Sequence, residues 1–482
     1  MKLLFCCEYY HPSRGGVQEV MRQIAERMVQ RGHDVTVATT ALPERDFSIW
    51  NGVKIVEFNI RGNRSTGLKG DVAHYVEFLK TFPADAIMIK AAQQWTFDAA
   101  WDALDTISAR KVFIPCGYSG LYLPEYRDYF KALPDILAKF DRLIFYAESY
   151  RDIDFSREHG HTHFDILPNG ASDIEFAVSP DPSFRETLDI AQDETVLLTV
   201  GSPVNSKGHL ESAIAFNLLE RPGERLTLIL NGHWPEPPMI TQNPPPSGVQ
   251  NPPPPGVLKR VLRLVDRAKR TLHRDGLIVM LQHTMVFIYY KLLAIARRFI
   301  RMVLKFLRHA RHRFMMALHK LNLRKNSAQP PSRNLDEWIA LANAQPGKRV
   351  IKTNLPRPAL VQAFLNADLF VFASNIEYSP LVLFEACAAG LPFISGPVGN
   401  SEEIARWTGG GIICPAQKDK FGYTRIDPAV LASKIDYLLS EPAQRQALSQ
   451  AGRQAWRDTY NWGAISRRYE AILSGEAQIS DM

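Results

Sequence analysis

Cysteine is scarce in this chain of 482 residues. There are five, Cys6, Cys7, Cys116, Cys387 and Cys414, an odd number with no C-x-x-C spacing. That pattern argues against a disulfide framework or a zinc site and fits buried thiols in a reducing compartment. A long N-terminal apolar run is also lacking. Met1 to Cys7 gives way to Glu8, which is too short for a secretory signal and predicts a first β-strand in a cytosolic protein. No G-x-G-x-x-G follows that strand, so a dinucleotide cofactor is not supported. Nor is there an Asp/Glu cluster that would suggest a metal. What is present is ordinary for a chain with real cores, 46% hydrophobic and 10% aromatic residues, which excludes wholesale disorder and a collagen-like design. At about 100–200 residues per domain, the length predicts two to four domains.

The net charge of +7 hides an asymmetry. Between Val257 and Lys325 stand 18 Lys and Arg against two acids, Asp266 and Asp275, leaving 39 bases and 48 acids elsewhere. Before this block, His233 to Gly256 holds ten of the chain's 32 prolines, a composition that reads as an extended spacer. Residues 234–334 are therefore expected to be an insertion, a Pro-rich spacer followed by basic amphipathic helices. Val257, Val261, Leu264, Val265, Ala268 and Leu272 mark the apolar stripe of the first. Attachment of residues 257–325 to an anionic membrane surface is the expectation, at about 1 kcal/mol per basic residue near such a surface. A helical hairpin touching its own domain or another subunit is the competing reading. The helices lack a recognisable nucleic-acid module, so no nucleic acid is expected. Polar interruptions at Gln282, His283, Thr284 and Lys291 argue against a spanning helix.

Elsewhere, strand and helix patterns alternate. Lys2 to Cys7 is a strand, then Val17, Val20, Met21, Ile24, Ala25, Met28 and Val29 recur at helical spacing until Gly32. A second series begins at Thr195 to Val200 and continues through Leu226–Leu230, Val350–Ile351, Leu369–Phe372 and Pro392–Ser395. Strands alternating with helices predict parallel sheets covered on both faces. The expected class is α/β, two Rossmann-like domains facing a cleft. Their limits are 1–172 for the first, 173–233 and 335–455 for the second, and 456–482 for a closing helix. Asp173 to Glu194 has the Asp, Pro and Ser content of a linker.

Three stretches carry candidate chemistry. In Ser13-Arg14-Gly15-Gly16 the paired glycines let backbone N–H groups approach an anion at a helix start, although many such turns hold glycine for steric reasons alone. In Val200 to His209, Lys207 beside Gly208 can extend a cation towards a diphosphate, or simply be a solvated loop lysine. The third is Glu377-Tyr378-Ser379-Pro380-Leu381-Val382-Leu383-Phe384-Glu385. Ser379 suits an N-cap and Pro380 the first helical position, with Gly390 and Pro392 as stops. Glu377 then lies in the loop and Glu385 on the second turn, about 80° apart in direction, so the two can meet different parts of one ligand. The alternative is a solvated Glu and a capped surface helix, which Glu385 inside so apolar a stretch weakens, because an unpaired buried carboxylate is costly.

This E-x7-E stretch resembles the retaining family 4 glycosyltransferases of the GT-B fold. Gly15-Gly16, Pro168-Asn169-Gly170, Val200-Gly201 followed by Lys207-Gly208, Val398 to Ile404, and a closing helix with Trp462 and Tyr469 agree in order. The resemblance covers nearly all the chain outside residues 234–335. It implies a donor site in which Gly16, with Gly15, lies beside the diphosphate of a nucleoside-diphosphate sugar and Lys207 compensates its charge. Glu377 would contact the transferred sugar and Glu385 the ribose. The backbone after Ser379, through Pro380, Leu381 and Val382, would help hold the phosphates or the sugar. It also implies catalysis with retention, without a metal or cofactor. Ser202 stands where the family often has an arginine, and Cys116 where it often has a histidine. The expected function is sugar transfer to a polysaccharide, lipid-linked or glycolipid acceptor, in the cytoplasm and peripherally at the membrane. A nucleotide-sugar 2-epimerase and a non-catalytic partner subunit are the alternatives.

Overall fold

The computed structural model describes residues 1–234, 333–419 and 423–476. The expected basic helices of the insertion, 257–325, lie outside the described residues.

The first half is one eight-stranded sheet. Its strands are β1 (Lys2–Cys6), β2 (Asp34–Thr40), β3 (Ile49–Trp50), β4 (Val53–Phe58), β7 (Ala86–Lys90), β8 (Arg110–Ile114), β9 (Arg142–Phe145) and β10 (Phe164–Ile166). A small ribbon of β5 (Ile60–Arg61) and β6 (Lys69–Gly70) stands apart. The order is β10-β9-β8-β7-β1-β2-β4-β3, parallel except for the edge strand β3. Alternation along β1 explains why both faces are covered. Leu3 and Phe5 point into one apolar cluster, Leu4 and Cys6 into another. The helix Gly16–Gln30 buries Val20, Met21, Ile24, Ala25 and Met28, the spacing that the sequence displays.

The second half repeats the plan with β11 (Thr195–Val200), β12 (Leu226–Asn231), β13 (Lys348–Thr353), β14 (Leu369–Phe372), β15 (Phe393–Ser395) and β16 (Gly411–Ile413). All pair in parallel, in the order β13-β12-β11-β14-β15-β16. An antiparallel ribbon, β17 (Ala416–Lys418) with β18 (Thr424–Ile426), follows. Val196 and Leu198 enter one cluster and Leu197 the other. Two Rossmann-like α/β layers are thus in place.

The segment after Asp173 is packed rather than loose. Phe176, Phe184 and Ile190 are buried, and Arg185 donates to the carbonyls of Ala191, Gln192, Glu194 and Asn366. Its polar composition concealed these apolar anchors. At the chain's far end, the helix Trp462–Ser474 returns to the first half. Trp462, Ile465, Tyr469 and Leu473 belong to that half's core, and Glu470 Oε1 lies 2.6 Å from His33 Nε2. Asn461 caps this helix, its side chain accepting from Ala464 N at 2.8 Å.

Candidate donor-binding site

Parallel strands deliver their following loops to one edge of each sheet, and every candidate stretch is such a loop. Ser13–Gly16 follows β1, Ser202–Lys207 follows β11, and Glu377–Pro380 follows β14. Gly16 faces the last of these, since a methyl group added there would come 3.9 Å from Leu381 Cδ1. Such a contact is comfortable, so this neighbour does not demand glycine at position 16. Gly15 has an extended backbone at φ 166 and begins a helix that no side chain caps.

Lys207 and Glu377 meet. Lys207 Nζ donates to Glu377 Oε1 at 2.5 Å, and the Ser374 hydroxyl donates to the same oxygen at 2.8 Å. The side chains keep 28% and 16% of their exposure, so the pair reaches solvent. Gly208 lets the lysine loop close. At φ 73 its backbone is left-handed, and a Cβ would stand 2.0 Å from the Ala373 carbonyl oxygen at the end of β14. Ser202 is exposed, and its carbonyl accepts from Val204 N at 2.8 Å.

Glu385 has a different partner. It is buried on the helix Leu381–Ala389, and its Oε1 lies 2.6 Å from Arg357 Nη2. The same guanidinium reaches Glu175 Oε2 at 2.8 Å, and Glu175 lies 3.9 Å from Arg22 of the helix after Gly16. Burial works against the Arg357 charge, but Glu385 and Glu175 more than offset it and hold its pKa above the ordinary arginine value. Arg357 escaped the sequence reading because nothing local links it to a carboxylate 28 positions on.

The helix start requires a correction. Pro380, not Ser379, is the N-cap, and the helix opens at Leu381. Pro380 keeps an extended ψ of 115, so the first helical residue comes one position later than expected. The Ser379 side-chain oxygen is buried without a hydrogen-bond partner, and its carbonyl accepts from Asn169 Nδ2 at 3.1 Å. With no side-chain cap, the first amides, at Leu381 and Val382, meet no capping oxygen.

On the first half's side, Cys116, Gly117 and Tyr118 all have positive φ, 62, 86 and 46, directly after β8. Such conformations concentrate at functional sites. Below them Lys90 is almost wholly buried, its Nζ donating to Tyr146 Oη at 2.7 Å, and burial lowers its pKa to about 8. Burial also raises the Cys116 thiol to about 11, leaving it a poor nucleophile. None of the sequence motifs pointed to Lys90.

Residues 332–455 match the family model described as Glycosyl transferases group 1. Glycogen synthases of two Mycobacterium tuberculosis strains, H37Rv and CDC 1551 / Oshkosh, are each 28% identical over 129 residues, 26% of this chain and 29% of theirs. The chain therefore matches less than a third of the length of those relatives. Among solved structures, the sucrose-phosphate synthase of Thermosynechococcus elongatus aligns with a TM-score of 0.60 at 15% identity, covering 98% of each chain. Anabaena HepE in complex with UDP-glucose aligns at 0.59 and 13% identity, over 98% of this chain and 100% of its own. The architecture is that of the GT-B glycosyltransferases.

Proposed function

We propose that this GT-B protein moves a sugar from a nucleoside-diphosphate sugar to a polysaccharide, lipid-linked or glycolipid acceptor, retaining the anomeric configuration. The observation that carries the reading is the Lys207–Glu377 pair, its glutamate four residues before an uncapped helix start at Leu381 that Gly16 faces. Departure of a nucleoside diphosphate needs its growing charge held by groups already in place. Lys207 is the mobile cation for that charge, and the backbone at Gly16 and Leu381 supplies N–H groups. Glu377 would accept from hydroxyls of the transferred sugar, and Glu385 would meet the ribose while Arg357 holds its other side. No metal or cofactor enters this scheme.

The Lys207–Glu377 pair is half-buried but reaches solvent, so Lys207 would exchange Glu377 for a phosphate without leaving a fully desolvated carboxylate behind. The matched segment in the glycosyltransferase family, and the UDP-glucose held by the similarly folded HepE, support a nucleotide-sugar donor. Residues 257–325 would hold the enzyme at an anionic membrane surface, where a lipid-linked acceptor lies; their excess of 16 positive charges supports this part. The test is to supply UDP- and GDP-sugars with and without glycolipid acceptors, follow diphosphate release, and read the product's anomeric configuration by NMR. Sugar appearing on the acceptor with the donor's configuration is expected. Interconversion of the donor sugar without transfer would instead identify an epimerase.

A further inference from the structure

The loop that presents Glu377 is held largely by the other half of the molecule. Its three consecutive carbonyls each accept a hydrogen bond from outside the loop. Glu377 O accepts from Tyr150 Oη at 2.8 Å, Tyr378 O from Asn400 N at 2.9 Å, and Ser379 O from Asn169 Nδ2 at 3.1 Å. Tyr150 and Asn169 come from the chain before the second sheet begins, 227 and 210 positions away from their partners.

The side chain between these carbonyls is bound from the same direction. Tyr378 Oη accepts from Tyr146 N at 3.1 Å and hydrogen-bonds the Asp152 carboxyl, which also accepts from Gly117 N at 2.7 Å. The rings of Tyr150 and Tyr378 lie 4.7 Å apart. Gly117 is pressed between them: a methyl there would come 3.0 Å from Tyr150 Cε1 and 3.1 Å from Tyr378 Cγ.

We propose that Tyr150 is a positioning residue for sugar transfer, fixing the Glu377 peptide so that its carboxylate stands where the transferred sugar must be met. The inference rests on the role given to Glu377 above. Its physical content is that Glu377 belongs to the second half but is aimed by a hydroxyl of the first half. Turning the Glu377 peptide would swing its carboxylate away from Lys207 and Ser374. Misplacement by about 1 Å can cost about 100-fold in rate. Donor cleavage would then be efficient only while the two halves keep this contact, and the sugar would leave the diphosphate with the acceptor half engaged.

The experiment uses Tyr150→Phe in the full chain, which keeps the ring packed against Tyr378 and removes only the hydroxyl. Transfer kinetics, calorimetry with the free nucleoside diphosphate and thermal melting are measured together, beside Glu377→Gln and the double variant. The expected result is a kcat about tenfold lower, with diphosphate affinity and melting temperature unchanged. In the double variant Tyr150→Phe should add nothing to Glu377→Gln, because it acts only through that residue. A wild-type kcat in Tyr150→Phe, losses that multiply in the double variant, or equal loss of rate and diphosphate affinity would each overturn the proposal. If Tyr150→Phe failed to fold, Asn169→Asp, which deletes the donor to Ser379 O, would have to show the same split for the proposal to stand. A wild-type protein that binds no nucleoside diphosphate would instead sink the underlying reading of the site, before any variant is compared.

Discussion

The two carboxylates of the E-x7-E stretch both have a basic partner, but the two pairs are built differently. Glu377 stands in a loop, shares one oxygen between Lys207 and Ser374, and reaches solvent. Glu385 is buried on a helix against Arg357, which also binds Glu175, and Glu175 continues to Arg22 on the first half's opening helix. The first arrangement is half-buried in a loop and is the one taken to open to a ligand. The second is a string of alternating charges in which Glu385 alone is buried, so removing Arg357 strands that carboxylate. The same motif thus offers one exchangeable contact and one fixed contact.

The largest effect that would sharpen this contrast belongs to Lys207. Ser202 offers no second cation in its loop, so Lys207→Ala should lower transfer by about 100-fold or more, as removal of a preorganised charge-stabilising group does. Wild-type rates in a transfer assay would show that backbone amides alone hold the diphosphate. Next comes the insertion. Deleting residues 240–330 should release the protein from anionic vesicles in a sedimentation assay and leave diphosphate binding in place. Raising salt should weaken the intact protein's attachment only in part, because apolar burial is not screened as charge is. Failure of the intact protein to sediment at low salt would point to a subunit contact instead.

Arg357 should show a smaller effect. Its side chain keeps 35% exposure, so water screens part of the loss, and Arg357→Ala should destabilise by about 1–2 kcal/mol. A thermal melt lowered by a few degrees checks this, whereas no change would mean that Glu385 needs no fixed partner. Least of all should a chelator matter: activity assayed with excess EDTA should match that without it.

Much of the framework was legible in the sequence because its physics is local. Apolar residues at helical spacing give Gly16–Gln30, and short apolar runs give β1 and β11. The candidate residues Glu377 and Glu385 stand out in the sequence because their motif is contiguous. The site was not legible where partners meet through the fold. Arg357, Ser374, Tyr150 and Asn169 have no local signature, since each acts on a residue brought close by sheet order or by the pairing of the two halves. The one-residue error at the helix start has a local cause. Proline is compatible with either of two adjacent positions, and only its ψ, set by the surrounding contacts, decides between them.

The contrast between the two carboxylates is tested most directly by measuring turnover and nucleoside-diphosphate affinity side by side for Glu377→Gln and Glu385→Ala. The account predicts that Glu377→Gln lowers kcat by about 100-fold while the diphosphate still binds as in the wild type. Glu385→Ala should instead weaken diphosphate binding, with the smaller loss in kcat. Two variants that lose rate and affinity in the same proportion, or a Glu377→Gln enzyme with full turnover, would contradict it.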